Sequence, residues 1–356
     1  MVIKNLTDIC NPKQWKTIQN TQLKTLGYPV YGANGIIGYY DTYNHESDTL
    51  IIGCRGTCGA ITIAQGKTYI NGNAMCLDKL SNEIELKYLY YFLKSFDFKN
   101  IISGTTIPQI TIEGLKKIKV PIPKKEKQLE IIKILDKAEK ILEIEKNKLN
   151  LLDELIKARF VELFVNKDFP KTTIGEIVAS KVSSVKKDFL PKDTIKYIDI
   201  SSIDNKRNIM TGFTEYVLED APSRAQQHIR KGDIIVSTVR PNLKNVAITG
   251  YDYDNLVASS GFCVLRTEKC LPSYLMAVVC SDDFTDTMTK VVTGANYPAI
   301  KDSDVKNYVV PNPPVELQEQ FATFVEQTDK SKSVCLEKIE KYTELYNKLM
   351  NDYFGG

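Results

Sequence analysis

Apolar and polar positions alternate in two different rhythms along this chain, and the change of rhythm happens twice. In the first rhythm, short apolar runs are broken by turn residues. Gly35 to Tyr40, Thr49 to Ile52 and Ala60 to Ile63 read as strands, bounded by Asn34-Gly35, Arg55-Gly56 and Asn71-Gly72. A second series lies at Ile195 to Ile200, Ile234 to Val239 and Val246 to Thr249. Each series is followed by a short predicted helix, Leu86 to Ser95 and Ser273 to Cys280. Prolines at 121 and 123, and again at 311 and 313, then mark edge or exit segments, because proline fixes φ and lacks an N–H donor.

Beyond the prolines the spacing becomes helical. Ile131, Leu135, Ala138, Leu142, Leu149, Leu152, Ile156 and Leu163 recur every three or four residues, with Glu145 and Arg159 as polar interruptions. A matching stripe runs through Phe321, Val325, Thr328, Lys332, Ile339, Tyr342, Tyr346 and Tyr353. Neither stretch contains proline or glycine. At ~1.5 Å per residue each helix would be on the order of 55–60 Å long. A heptad-like seam of this length calls for a helical partner.

The two rhythms belong to an internal repeat. Shifting the chain by 190 residues aligns 103–164 with 293–354 without a gap, and 14 of the 62 positions are identical. Chance would give roughly 4. Gly104/Gly294, Pro108/Pro298, Ile110/Ile300, Pro121/Pro311, Pro123/Pro313, Glu126/Glu316 and Gln128/Gln318 are among them. Upstream the offset shrinks: Asp48 to Arg55 parallels Asp233 to Arg240 at 185, Cys76 parallels Cys263 at 187, and 4–9 parallels 172–177 at 168. The second copy therefore carries 22 extra residues, most of them before its central strands, as expected of a surface insertion. The predicted fold class is α+β. Two mixed α/β domains, 1–125 and 167–315, are each followed by a long helix, 126–166 and 316–356. The helices are expected to pack as an antiparallel coiled coil with pseudo-twofold symmetry.

Composition narrows the function. The hydrophobic fraction is 43% and the charged fraction 26%, as in globular proteins, and no apolar stretch reaches the ~18 residues of a membrane span. Without a secretory signal at its start the chain is expected to be cytoplasmic. Net charge is only +3, but residues 1–125 carry +6. That distribution permits phosphate contacts without demanding them. Of the eight cysteines only Cys54 and Cys58 lie close together, and His45 and His228 match no ligand spacing, so no metal is expected. The chain lacks a glycine-rich cofactor loop and a phosphate loop. Asn312-Pro313-Pro314-Val315 resembles the N-P-P-aromatic motif of adenine methyltransferases, but valine stands where the stacking aromatic belongs. No catalytic residues and no bound cofactor are expected.

The order domain, P-x-P-x-x-E-x-Q, long helix, repeated once, resembles the specificity subunits of type I restriction–modification systems. The residues carrying the resemblance are Pro121, Pro123, Glu126 and Gln128, and Pro311, Pro313, Glu316 and Gln318, with SGTTIPQI (103–110), TGANYPAI (293–300) and YPVYGANGIIGYYD (28–41). The resemblance covers essentially the whole chain. It implies two target-recognition domains reading the halves of a bipartite double-stranded DNA site. It also implies helices that dock two methyltransferase subunits, on which S-adenosylmethionine is bound, with restriction subunits as further partners. Two other readings fit a two-headed scaffold: a non-enzymatic adaptor, or a specificity subunit of another restriction–modification type.

Candidate DNA contacts follow from side-chain chemistry. Arg55 and Arg240 end matching predicted strands, where a guanidinium can bond guanine or phosphate, or simply tie down its own loop. Thr105, Thr106 and Gln109, with Asn296 and Tyr297 in the second copy, offer polar groups in the proline-bearing loops. Lys67, Asn242 and Lys244 are weaker candidates, since a surface lysine is usually just solvated. The seam residues Ile131, Leu135, Leu142, Leu149, Leu152, Ile156, Phe321, Val325, Ile339, Tyr342, Tyr346 and Tyr353 are assigned to helix packing. The tyrosines also suit a partner interface.

Overall fold

The computed structural model describes residues 2–104, 108–294 and 298–355. The chain forms two compact units, Met1–Asn147 with Leu336–Gly356, and Lys148–Cys335, so each unit takes part of both long helices. Among the described residues no helix is long and apolar enough to cross a membrane.

In the first unit, strands β1 (Val2–Asn5), β2 (Asn11–Gln14), β3 (Tyr28–Gly32), β4 (Gly35–Tyr40), β5 (Thr49–Gly53), β6 (Ile61–Ala64), β7 (Tyr69–Ile70) and β8 (Ala74–Asp78) precede helix α1 (Leu86–Ser95). Strand β9 (Lys119–Ile122) then leads into α2 (Lys125–Phe164). One sheet has the order β2-β8-β5-β6 and another the order β4-β3-β7, while β9 pairs antiparallel with β1. The proline segment is thus an edge strand closing on the start of its own unit. β5 is buried along its whole length, which is why it reads as an unbroken apolar run and not an alternating one. The core joins Leu50, Ile52 and Met75 to Tyr88, Leu89 and Phe92 of α1.

The second unit repeats this plan with additions. Its strands are β10 (Lys171–Thr173), β11 (Thr194–Ile198), β12 (Thr214–Val217), β13 (Ala225–His228), β14 (Ile234–Ser237), β15 (Val246–Ile248), β16 (Leu256–Ser259) and β17 (Phe262–Leu265). Helices α3 (Pro272–Val279) and α4 (Asp282–Lys290) follow, then β18 (Val309–Pro311) and α5 (Val315–Phe354). β18 pairs with β10 as β9 does with β1. In both units the aligned cysteine sits opposite the aligned central strand, Cys76 against Ile51 and Cys263 against Val236. A parallel pairing also recurs, Val30 with Tyr69 and Tyr197 with Val257. The second unit adds a small hairpin, Ile203–Asp204 with Ile209–Met210, and strand β12. These fall where the repeat offset predicts the extra residues.

Both long helices follow the predicted seams. Ile131, Leu135, Leu142 and Phe321 are buried, and Leu149, Leu152, Ile156, Val325, Ile339, Tyr342, Tyr346 and Tyr353 are half-buried. Within the first unit the α2 and α5 segments run in opposite directions. Ile131 and Leu135 share a core with Met350 and Tyr353, while Glu145 meets Lys338 at 3.7 Å. Within the second unit the same sense holds: Asp153 pairs with Lys332 at 2.6 Å, and Phe164 packs on Phe321 with centroids 5.5 Å apart. Tyr346 and Tyr353 pack against the first unit's own core, which accounts for their place in the seam without any partner.

The P-x-P-x-x-E-x-Q motif proves to be a brace. Gln128 is fully buried; its Oε1 accepts from the Glu85 N–H at 2.8 Å, and its Nε2 donates to the Pro123 and Glu83 carbonyls at 2.9 and 2.8 Å. Tyr88 Oη donates to the Pro121 carbonyl at 2.9 Å. The second copy repeats the arrangement: Gln318 accepts from Leu271 N–H at 2.8 Å and donates to Pro313 O at 3.0 Å, and Tyr274 donates to Pro311 O at 2.6 Å. Proline carbonyls keep two lone pairs although proline has no N–H, so the motif turns exit residues into acceptors for the helix they must hold. Burial pushes the Tyr88 hydroxyl up to about 12, so it stays a donor at neutral pH.

Candidate DNA-reading loops

Arg55 and Gln109 share one loop cluster in the first unit, and Arg240 and Asn242 share another in the second. In the first, β5 ends at Gly53, and the next two amides, Cys54 and Arg55, both donate to the Asn73 carbonyl, at 2.9 and 3.2 Å. Two donors on one acceptor leave one extra residue on this strand, the signature of a bulge. Arg55 bridges to Gln109, and Ile110 N–H donates to Cys54 O at 3.0 Å. The β3–β4 hairpin tip presses in from the side. A Cβ on Gly53 would lie 2.4 Å from Ala33 O and 2.3 Å from Thr57 O, so only glycine fits. Arg55, Gln109, Asn73 and the exposed tip residue Asn34 therefore share one surface. Burial pushes both the Cys54 and the Cys58 thiol up from the usual range.

In the second unit Ile300 N–H donates to Thr238 O, Val239 bridges to Ala299, and Arg240 N–H donates to Pro298 O at 2.9 Å. Thr238 N–H donates to Gly261 O at 2.9 Å, joined there by the Thr238 hydroxyl at 2.9 Å and not by a second backbone amide. Bond for bond, the counterpart of Arg55 is Val239. The two arginines do not occupy matching backbone places, because the bulge at 54–55 absorbs a residue that the second copy lacks. Arg240 instead stands one step further out, at φ +49°, and Lys244 closes the same turn at φ +52°. Left-handed conformations of non-glycine residues are strained by roughly 1–2 kcal/mol each. The added hairpin holds this turn: Asn205 Nδ2 donates to Leu243 O at 2.8 Å, and Asn208 Nδ2 to Lys244 O and Val246 O at 3.2 Å each.

The remaining candidates separate. Asn242 is exposed on the 3-10 turn Pro241–Leu243, beside Arg240. Lys244 is tied to Asp282 in an ion pair and holds that carboxyl below its usual range. Lys67 lies past the opposite end of the β5–β6 pair from Arg55, since Thr49 faces Ala64 and Ile52 faces Ile61. Its ammonium rests 4.9 Å from the Tyr43 ring centroid. Thr105, Thr106, Asn296 and Tyr297 lie outside the described residues. Gly104 and Gly294, next to those segments, share φ +92°, a conformation that disfavours any other residue. Sequence reasoning missed Asn73, Asn34, Tyr88 and Tyr274. Only Asn34-Gly35, as a turn dipeptide, left a local signal.

Two copies of one α/β plan, each with an exposed arginine on the loop that follows its central strand, make this a double-domain protein. Comparison with known proteins gives the particular class. The family model for the type I restriction modification DNA specificity domain matches residues 1–154 and 166–345. This chain belongs to that family, whose members are DNA-recognition components. It is 25% identical over 333 residues to the type I restriction enzyme MjaVIII specificity subunit of Methanocaldococcus jannaschii, covering 86% of this chain and 78% of the relative. A shorter match, 29% over 111 residues, reaches the type I restriction enzyme EcoprrI specificity subunit of Escherichia coli, with 31% and 27% covered. The crystal structure of a type I restriction–modification S subunit from M. genitalium superposes with a TM-score of 0.60 at 17% identity, over 98% of this chain and 94% of that one; the likeness is one of fold.

Proposed function

We propose that the chain reads a bipartite DNA site, each unit reading one half, and docks two methyltransferase subunits through its helices. The carrying observation is the duplicated geometry in which a strand-end loop is bonded to the proline-bearing loop beside an exposed arginine. Arg55 with Gln109 would read one half-site and Arg240 with Asn242 the other; guanidinium suits guanine O6 and N7, carboxamides suit adenine. S-adenosylmethionine is bound by the methyltransferase partners, and restriction subunits join the same assembly. The α2 and α5 helices, 40 residues each, form an antiparallel coiled coil with pseudo-twofold symmetry that sets the number of unread bases.

The test is methylation mapping with the assembled complex. Inserting seven residues at Asn147 and at the facing part of α5 is expected to change the unread spacing while both half-sites persist. An unchanged spacing contradicts the reading.

A further inference from the structure

The first unit holds a cluster that the DNA-reading role does not use: His45, Cys76 and Asp78. Cys76 and Asp78 are two residues apart on β8, so strand alternation puts both side chains on one face. His45 is brought to them by its backbone pairing with Thr68, just before β7. An imidazole nitrogen, a thiol sulfur and a carboxylate oxygen lie within 4.8 Å of one another.

The surroundings fix a proton on one ring nitrogen of the histidine. Asn44 Oδ1 accepts from Ile70 N–H at 2.8 Å while Asn44 Nδ2 donates to Ile70 O at 3.0 Å, so the amide orientation is determined. That oxygen faces His45 Nδ1 at 2.7 Å, and Nδ1 must therefore carry the proton. Nε2 points to Asp78 Oδ1 at 2.9 Å. A histidine whose far nitrogen donates to a fixed oxygen is how metal-bound imidazoles are held. The Trp15 Nε1–H is buried with no hydrogen-bond partner, and its ring packs edge-on to His45, 5.3 Å between centroids.

We propose that His45 Nε2, Cys76 Sγ and an Asp78 carboxylate oxygen bind a divalent zinc ion, with water in the fourth position. Ordinary Zn–N, Zn–S and Zn–O bonds imply donor separations of about 3.3–3.8 Å, reached by a small adjustment of the present arrangement. Thiolate and carboxylate balance the ion's charge, and the protons lost from Cys76 and from the His45 Nε2–Asp78 contact go to solvent. The His45 and Asp78 side chains are 9% and 19% exposed, which leaves an entry path. The site clamps β8 to the segment before β5, at the far end of β8 from the Arg55 loop. The second unit cannot form it: Leu265 stands two residues after Cys263. Sequence spacing hid the site because its ligands come from segments 31 residues apart.

The test uses the full purified chain without thiol reductants. Cobalt(II), a spectroscopic substitute for zinc, is expected to bind one equivalent with a thiolate-to-metal charge-transfer band that zinc displaces. Cys76→Ser is expected to abolish the band, and His45→Gln to weaken cobalt binding at least tenfold. Zinc should raise the unfolding temperature of the parent chain. Absence of the band and of any zinc-induced shift overturns the proposal; so does a band that persists in Cys76→Ser, or cobalt affinity unchanged in His45→Gln. Should Cys76→Ser fail to fold, the parent titration and His45→Gln decide alone.

Discussion

The two units share a scaffold and differ in what steadies their loops. In both, a buried glutamine and a tyrosine hydroxyl bind the exit prolines to the helix before them, and a central strand lies opposite an aligned cysteine. At the loops the first unit uses a backbone bulge and a hairpin tip pressed on Gly53, whereas the second uses strained residues clamped by Asn205 and Asn208. The positions that stayed alike hold the frame, and those that diverged present side chains. Duplication followed by loop change is what a two-headed reader needs if its heads are to read different sequences.

The comparison can be broken most forcefully at Asp233. Its carboxylate, 3% exposed, takes two bonds from Arg266 at 2.9 and 2.7 Å, while the aligned Asp48 accepts a Gly66 N–H at an exposed site. Asp233→Ala should destabilise the protein by about 3–5 kcal/mol, because it strands a partly buried guanidinium. Asp48→Ala should lose under about 1 kcal/mol. Urea unfolding of the two variants separates them, and equal losses would mean the second unit has no special dependence on the pair.

Next in size are the braces. Gln128→Ala leaves one buried N–H and two carbonyls without their partner, and about 1–3 kcal/mol should follow; Gln318→Ala should come out near or somewhat below it. Gly53→Ala should shift the hairpin tip at about 1–3 kcal/mol and disturb only the first half-site, read by chemical denaturation and by DNA binding. Asn205→Ala should be milder, about 0.5–1.5 kcal/mol, with its effect confined to the second half-site.

The smallest effect is one of pH. The Thr173 N–H, then the Thr172 and Thr173 hydroxyls, hold the exposed Glu176 carboxyl below its usual range. Its contribution is therefore present above the ordinary glutamate pKa and lost as pH falls through the depressed folded value. Glu176→Gln should flatten the acid side of the stability profile slightly, and an unchanged profile would remove these bonds to Thr172 and Thr173 from the account.

Much of this was legible in the chain. Leu86–Ser95 forms the helix its pattern predicted, and both long helices run from just after the paired prolines, because repeated apolar spacing without proline or glycine reports local structure directly. The role of Gln128 was not legible, since its partners Glu85 and Glu83 lie over forty residues away. The shift between Arg55 and Arg240 was hidden for a related reason. One carbonyl accepting two amides depends on how strands meet, and identical letters at the same offset conceal it.

The central claim is that each unit reads its own half of one DNA site. The most direct measurement is base preference at both half-sites, by binding or methylation, for the assembled complex carrying Arg55→Ala or Arg240→Ala. Each substitution is predicted to relax a single half-site and weaken binding by about 1–3 kcal/mol, with the other half unchanged. Loss of equal size on specific and random DNA, or relaxation of both halves together, would contradict it.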